Sequence, residues 1–283
     1  EGGVTVPSPT WPDRLGWIGL ALVPSALLTA VTTHITTDVA SAPLLWVLPL
    51  ALYLLTFVVV FRDRALIPPR LLLLLHLAAA VAALVLIAQT EHEGWVVSSS
   101  AGILVFLTSA LVAHRTLYEA RPAARHLTEF YLWMSLGGAL GGLFAALIAP
   151  RIFSEVFEYP LLLALTMACR PGAAEGFRLI GRGLVSVARW LRLPVGPRLA
   201  GLDQGGGEEL MRLWLVLAVG FLAIFWMPWA IEYFEIRIGR YGPTAIIAGS
   251  LAIALLAFWR YPSRQLLIAL LMFATVAMLH KTA

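Results

Sequence analysis

One cysteine, Cys169, stands in a chain of 283 residues. That scarcity excludes an internal disulfide and any metal cluster built on cysteine. Charge is scarce as well. Only 13% of the residues are charged against 60% hydrophobic, and the mean hydropathy is +0.86. A soluble domain of this length needs far more polar surface to cover its core. No GxGxxG dinucleotide loop, P-loop or HExxH zinc helix occurs, and no polar segment is long enough to house a nucleotide fold. The sequence therefore assigns no cofactor, no metal site and no catalytic residue.

What fills the chain instead is apolar blocks near twenty residues long. At a rise of about 1.5 Å per residue, about twenty helical residues cross a hydrocarbon core of about 30 Å. The runs are continuous and do not alternate, which is no β-barrel pattern. The expected fold is all-α: a polytopic membrane bundle of about eight or nine transmembrane helices plus one interfacial amphipathic helix. The spans are read at Leu15 to Thr33, Leu44 to Phe61, Leu66 to Thr90, Trp95 to Leu117, Leu127 to Ala149, Phe153 to Cys169, Leu210 to Ile231, Pro243 to Phe258 and Gln265 to Leu279. The sixth is interrupted by Glu155, Glu158 and Pro160. Residues 1–14 read as a linker, 15–169 as a first membrane block, 170–209 as a cytoplasmic loop and 210–283 as a second block.

Net charge is +4, and nearly all the basic residues are arginine. The arginines sit in short loops, so they set topology and meet anionic lipid, with no part for nucleic acid. Loops around Arg62 and Arg64, Arg115 to Arg125, Arg170 to Arg198 and Arg260 to Arg264 are basic. Loops with Glu91 and Glu93, and with Glu155 and Glu158, are acidic. This alternation fits nine crossings of a bacterial inner membrane with the N-terminus cytoplasmic. In the long loop, Phe177, Ile180, Leu184, Val187 and Leu191 recur at steps of three and four, with Arg178, Arg182, Arg189 and Arg192 between them. That pattern reads as an interfacial basic helix lying on an anionic leaflet, with a charged linker that happens to be helical as the alternative.

The most polar cluster, "TTHITTD", follows the first span. One reading is a tight turn whose Thr and Asp side chains cap free helix ends. The other is a polar pocket of His34, Thr36, Thr37 and Asp38 for a small cation, because a carboxylate near hydrocarbon needs a partner. Glu129 opens the fifth span at the positive end of its helix, as a hairpin clamp or as a substrate gate. Gly137 with Gly141, and Gly138 with Gly142, form two overlapping GxxxG pairs and mark a close-packing face, read as intramolecular first and as a dimer contact second. His76, inside the third span, reads as a neutral histidine bonded to a neighbouring helix.

The stretches "VTTHITTDVASAPLLWVLPLALYLLTFVVVF" and "RPAARHLTEFYLWMSLGGALGGLFAALIAP" resemble the membrane region of bacterial spermidine-synthase-like fusion proteins, which are polytopic and often transporter-like. The resemblance runs over Trp17 to Cys169 and more loosely beyond. It implies a polyamine aminopropyltransferase-like domain after the last span. The residues of such a domain lie outside this sequence, so no catalytic residue is carried over.

Three functions remain in view. The first is a non-catalytic scaffold or accessory subunit of a larger membrane complex, with other membrane proteins and the bilayer as partners. The second is a transporter-like module for a small cationic ligand such as a polyamine. The third is the membrane half of an aminopropyltransferase-like enzyme.

Overall fold

A computed structural model describes residues 8–38, 47–62, 66–88, 95–153, 158–172, 232–233, 242–262 and 264–271. Within these, side chains are described except at 34–38, 84–88, 95–99, 242–248 and 250. Every regular element among the described residues is a helix. The chain divides into two compact units, Glu1–Arg170 and Pro171–Ala283.

The first unit holds α1 (Trp11–Asp38), α2 (Val47–Val60), α3 (Pro69–Ala88), α4 (Trp95–Glu119) and α5 (Leu127–Leu143). From α5 the chain continues helically through a π turn (Phe144–Ile148) into α6 (Ala149–Ile152), and later forms α7 (Glu158–Thr166). Three described helical stretches are long and apolar enough to cross a membrane: Trp11–Thr33, Ser100–Glu119 and Ala124–Ile152. The remaining apolar helices, Val47–Val60, Pro69–Ala83 and Glu158–Cys169, are shorter over the residues described in full. This is compatible with a membrane location.

α1 starts at a capping arrangement written into "TWPD". Asp13 Oδ2 accepts from the Thr10 N–H at 2.8 Å and from the Thr10 hydroxyl at 2.6 Å. The third helical residue thus reaches back to the cap, and Pro12 sits in the first turn, where no helical N–H is needed. α1 then runs through Pro24 to Asp38, beyond the Leu15 to Thr33 that hydropathy marks. The "HITTD" segment is therefore helical as far as Asp38, and the turn expected between the first two spans falls on 39–46, outside the described residues.

α1 is the central helix. Trp17, Ala21, Val23, Ala26, Leu27, Ala30 and Val31 are all buried. These positions cover well over half of the helix circumference, far wider than the stripe of a surface helix. It touches α2, α4, α5 and α7. Contacts near the ends fix the directions. Arg14 meets Glu129, so α1 and α5 start at one end. Phe61 stacks edge-on with Tyr118, and Thr116 bonds the Cys169 carbonyl, so α2, α4 and α7 finish there. Leu72 packs with Leu111 and Val112, which brings the start of α3 to the same end. The helices thus alternate in direction.

The α1–α5 contact is backbone on backbone. A Cβ on Gly137 would overlap the Ile18 carbonyl oxygen and lie 2.9 Å from Ile18 Cα. A Cβ on Gly141 would overlap the Leu22 carbonyl oxygen and lie 3.0 Å from Ala26 N. Gly138 and Gly142 have nothing within 4 Å of such an atom. So only one of the two GxxxG pairs makes the close approach. The stripe continues with Ala145 and Ala149, both buried. Four residues take an α-helix about 40° past a full turn, so steps of four drift round the helix. The π turn widens by about one residue per turn and cancels that drift, keeping the stripe on one side.

In the second unit, α8 (Gly242–Ala257) turns at Tyr261 into a helical segment over 264–271. The Gln265 side-chain amide donates to the Leu255 carbonyl at 2.8 Å, and the Arg264 guanidinium lies 4.2 Å from the Tyr261 ring centroid. The basic helix read at Arg178, Arg182, Arg189 and Arg192, and the span Leu210 to Ile231, lie outside the described residues.

Gly137→Ala or Gly141→Ala should destabilise the first unit by about 1–3 kcal/mol through overpacking. Gly138→Ala and Gly142→Ala should be neutral or gain up to about 1 kcal/mol from helix propensity. Thermal unfolding of the four variants in one detergent checks the contrast.

Candidate functional site

The polar side chains described in the first unit fall into two groups, one at the arginine-bearing end and one inside. At the end, Glu129 lies in the first turn of α5. Its Oε1 accepts from Arg14 Nε–H at 2.6 Å and from the Trp133 indole at 3.4 Å; its Oε2 lies 3.9 Å from His126 Nδ1. Arg125 Nε–H donates to the other ring nitrogen of His126 at 3.0 Å, so the proton of that ring faces Glu129. Aromatic rings surround the pair. Trp11 and Trp133 meet edge to face at 6.0 Å, and Trp17 and Phe130 at 5.2 Å. The Arg14 guanidinium lies 5.0 Å from the Trp11 ring, and the Trp17 indole donates to the Ala120 carbonyl at 3.0 Å. Glu129 is thus held between α1 and α5 as a clamp, with its charge matched by Arg14. Arg115 pairs with Glu119 at 2.9 Å one turn on along α4, on the surface.

Inside the unit, side chains join one helix to the next. Ser25 Oγ donates to the Gly138 carbonyl at 2.8 Å, which joins α1 to α5 beside the glycine contact. Thr116 Oγ1 donates to the Cys169 carbonyl at 2.7 Å, joining α4 to the end of α7. His76 Nε2 lies 3.0 Å from Thr166 Oγ1, as a histidine bonded to a neighbouring helix should. A second buried histidine, His114, lies 2.7 Å from Thr56 Oγ1 through Nδ1 and stacks on Phe57 with centroids 3.7 Å apart. His114 is hidden in the sequence, because it stands beside the arginines of a basic loop. Its spacing was the signal: Leu111, His114 and Leu117 recur every three residues on an apolar helix face, level with Thr56 in an apolar span.

The sequence-derived site is not brought together as one pocket. Glu129 lies at the α1 start, whereas His34, Thr36, Thr37 and Asp38 lie on the last turns of α1, at its opposite end. The side chains of those four residues lie outside the described residues. No group of three or more His, Cys, Asp or Glu able to hold a metal ion occurs among the described residues.

Compared with known proteins, the chain matches no family model, no curated protein and no solved structure.

The clamp has a checkable signature. Glu129→Arg alone should lower the unfolding temperature by placing a second cation against Arg14. Combining it with Arg14→Glu should recover most of that loss. A double-mutant cycle on the two exchanges measures the coupling.

Proposed function

We propose that this chain is a polytopic protein of the bacterial inner membrane that acts as a non-catalytic scaffold or accessory subunit of a larger membrane assembly. One observation carries the reading: among the described residues, the buried polar side chains Ser25, Thr56, His76, His114, Thr116 and Thr166 tie one helix to the next, while α2 and α5 turn leucines outward. Glu129, one of the two carboxylates among the site candidates, is bonded to Arg14. Leu54, Val58, Leu132, Leu136, Leu140 and Leu147 are exposed along α2, α5 and the π turn. Such surface suits lipid and neighbouring helices. The likeness to spermidine-synthase-like membrane regions, and a small cationic ligand at Asp38, belong to the transporter-like and enzyme-half alternatives.

In this reading the end bearing Arg14, Arg62, Arg70, Arg115, Arg121, Arg125 and Arg170 faces the cytoplasm, as the positive-inside rule requires. A cysteine placed at Ala123 should react with a membrane-impermeant maleimide only after permeabilisation, and one placed at Phe153 should react in intact spheroplasts. Cys169 is buried and gives little background. The reverse pattern inverts the topology.

Native mass spectrometry after gentle extraction from the native membrane tests the subunit reading. The chain, 30.8 kDa for this sequence, should appear within a larger complex. A free monomer removes the subunit reading and brings transport forward. A covalent mass greater by a whole domain brings the enzyme half forward.

A further inference from the structure

The arginine end of the first unit holds cations of two sorts. Arg14 and Arg115 each meet a carboxylate, Glu129 and Glu119. Arg62 and Arg121 are exposed, and neither forms an ion pair among the described residues. Both stand beside one aromatic ring. Phe61, the residue before Arg62, packs edge-on against Tyr118 with centroids 5.2 Å apart. The Arg121 guanidinium lies 3.9 Å from the centroid of the same Tyr118 ring. A guanidinium stacked on a ring keeps its N–H edge free, and the stacking orders it before any ligand arrives. Tyr118 thus stands between the end of α2 and the turn after α4, with an unpaired arginine on each of the two segments.

Apolar surface leads up to this pair. Leu54, Leu55 and Val58 are exposed on α2. The Phe61 N–H bonds the Phe57 carbonyl at 2.9 Å, so the helical register holds to the residue before Arg62. Leu54, Val58 and Arg62 follow one another at steps of four, near one side of that helix. An exposed apolar face that ends in unmatched cations fits an anionic phospholipid, with acyl chains along the leucines and the phosphate at the guanidinium groups. A soluble phosphate would match the arginines and leave the leucines bare. A zwitterionic lipid would cover the leucines but bring an ammonium along with its phosphate.

We propose that Arg62 and Arg121 bind the phosphate of one anionic phospholipid, whose chains lie along Leu54, Leu55 and Val58 of α2, and that Tyr118 positions Arg121 for it. The site goes beyond the scaffold reading and rests only on the part of it that puts α2 in a bilayer.

The test is native mass spectrometry of the full chain, stripped of lipid in detergent and titrated with dioleoylphosphatidylglycerol or dioleoylphosphatidylcholine. The two lipids share their chains and phosphate, and only the first carries a net charge. The unsubstituted chain should retain one phosphatidylglycerol at a concentration about fivefold or more below that needed for phosphatidylcholine. Arg62→Gln and Arg121→Gln should each weaken phosphatidylglycerol retention about fivefold, and both together about 25-fold, leaving phosphatidylcholine unaffected. Tyr118→Leu keeps every charge but releases Arg121, and should weaken the anionic lipid alone. Arg151→Gln, at an exposed arginine beyond the other end of α5, is the control and should change neither lipid. Excess inorganic phosphate should leave the lipid in place; displacement by it makes this a plain anion site and overturns the proposal. Equal retention of the two lipids, or a double arginine variant no weaker than Arg151→Gln, overturns the site and leaves the membrane reading standing. Retention of neither lipid overturns both. The arginine variants lie at the surface and decide the matter even if Tyr118→Leu, which also loses its contact with Phe61, does not fold.

Discussion

In hydrocarbon, helices gain nothing by hiding apolar surface from one another, so close backbone contact and internal hydrogen bonds must hold them together. The first unit has both means, close backbone contact and internal hydrogen bonds, at α1 against α5. Gly137 and Gly141 let the α5 backbone touch the carbonyls of Ile18 and Leu22. The contact is fastened at the arginine end by Arg14 with Glu129 and further in by Ser25 with the Gly138 carbonyl. α2, α4 and α7 are then laid against α1, each held by a few directional bonds to α4 or from it.

Two of the threonines follow one rule. Thr56 and Thr166 each donate to a carbonyl of their own helix and still reach a histidine on a neighbour. A hydroxyl can do this because it offers one proton and two lone pairs. A threonine in an apolar span thus satisfies itself locally while carrying one specific tie, at no cost in unsatisfied groups.

The parts legible in the sequence were those set by composition and local pattern. An all-helical reading followed from long apolar runs. The close-packing face was marked by the glycines, and a bonded His76 by its place in an apolar span. The choice between Gly137–Gly141 and Gly138–Gly142 was not legible, because the pairs differ by about 100° of rotation and only the position of α1 decides. The π turn has no residue signature: "FAALI" reads as ordinary helix. Glu158 and Pro160 looked like interruptions of a sixth segment, yet they open α7. An acid and a proline are favoured in a first turn, where the helix end is positive and N–H groups are free. His114 was masked by the charges after it, since the helix runs on to Glu119 before Pro122 ends it.

The partners in the central contact are far apart in the chain. Arg14 and Glu129 are 115 residues apart. At a synthesis rate of about 5–20 residues per second, α5 leaves the ribosome roughly 6–23 s after α1. During synthesis α1 therefore exists with an open glycine-docking face, an unmatched Arg14 and a free Ser25 hydroxyl until α5 has been made. A nascent chain halted between α4 and α5 would hold its central helix half-covered.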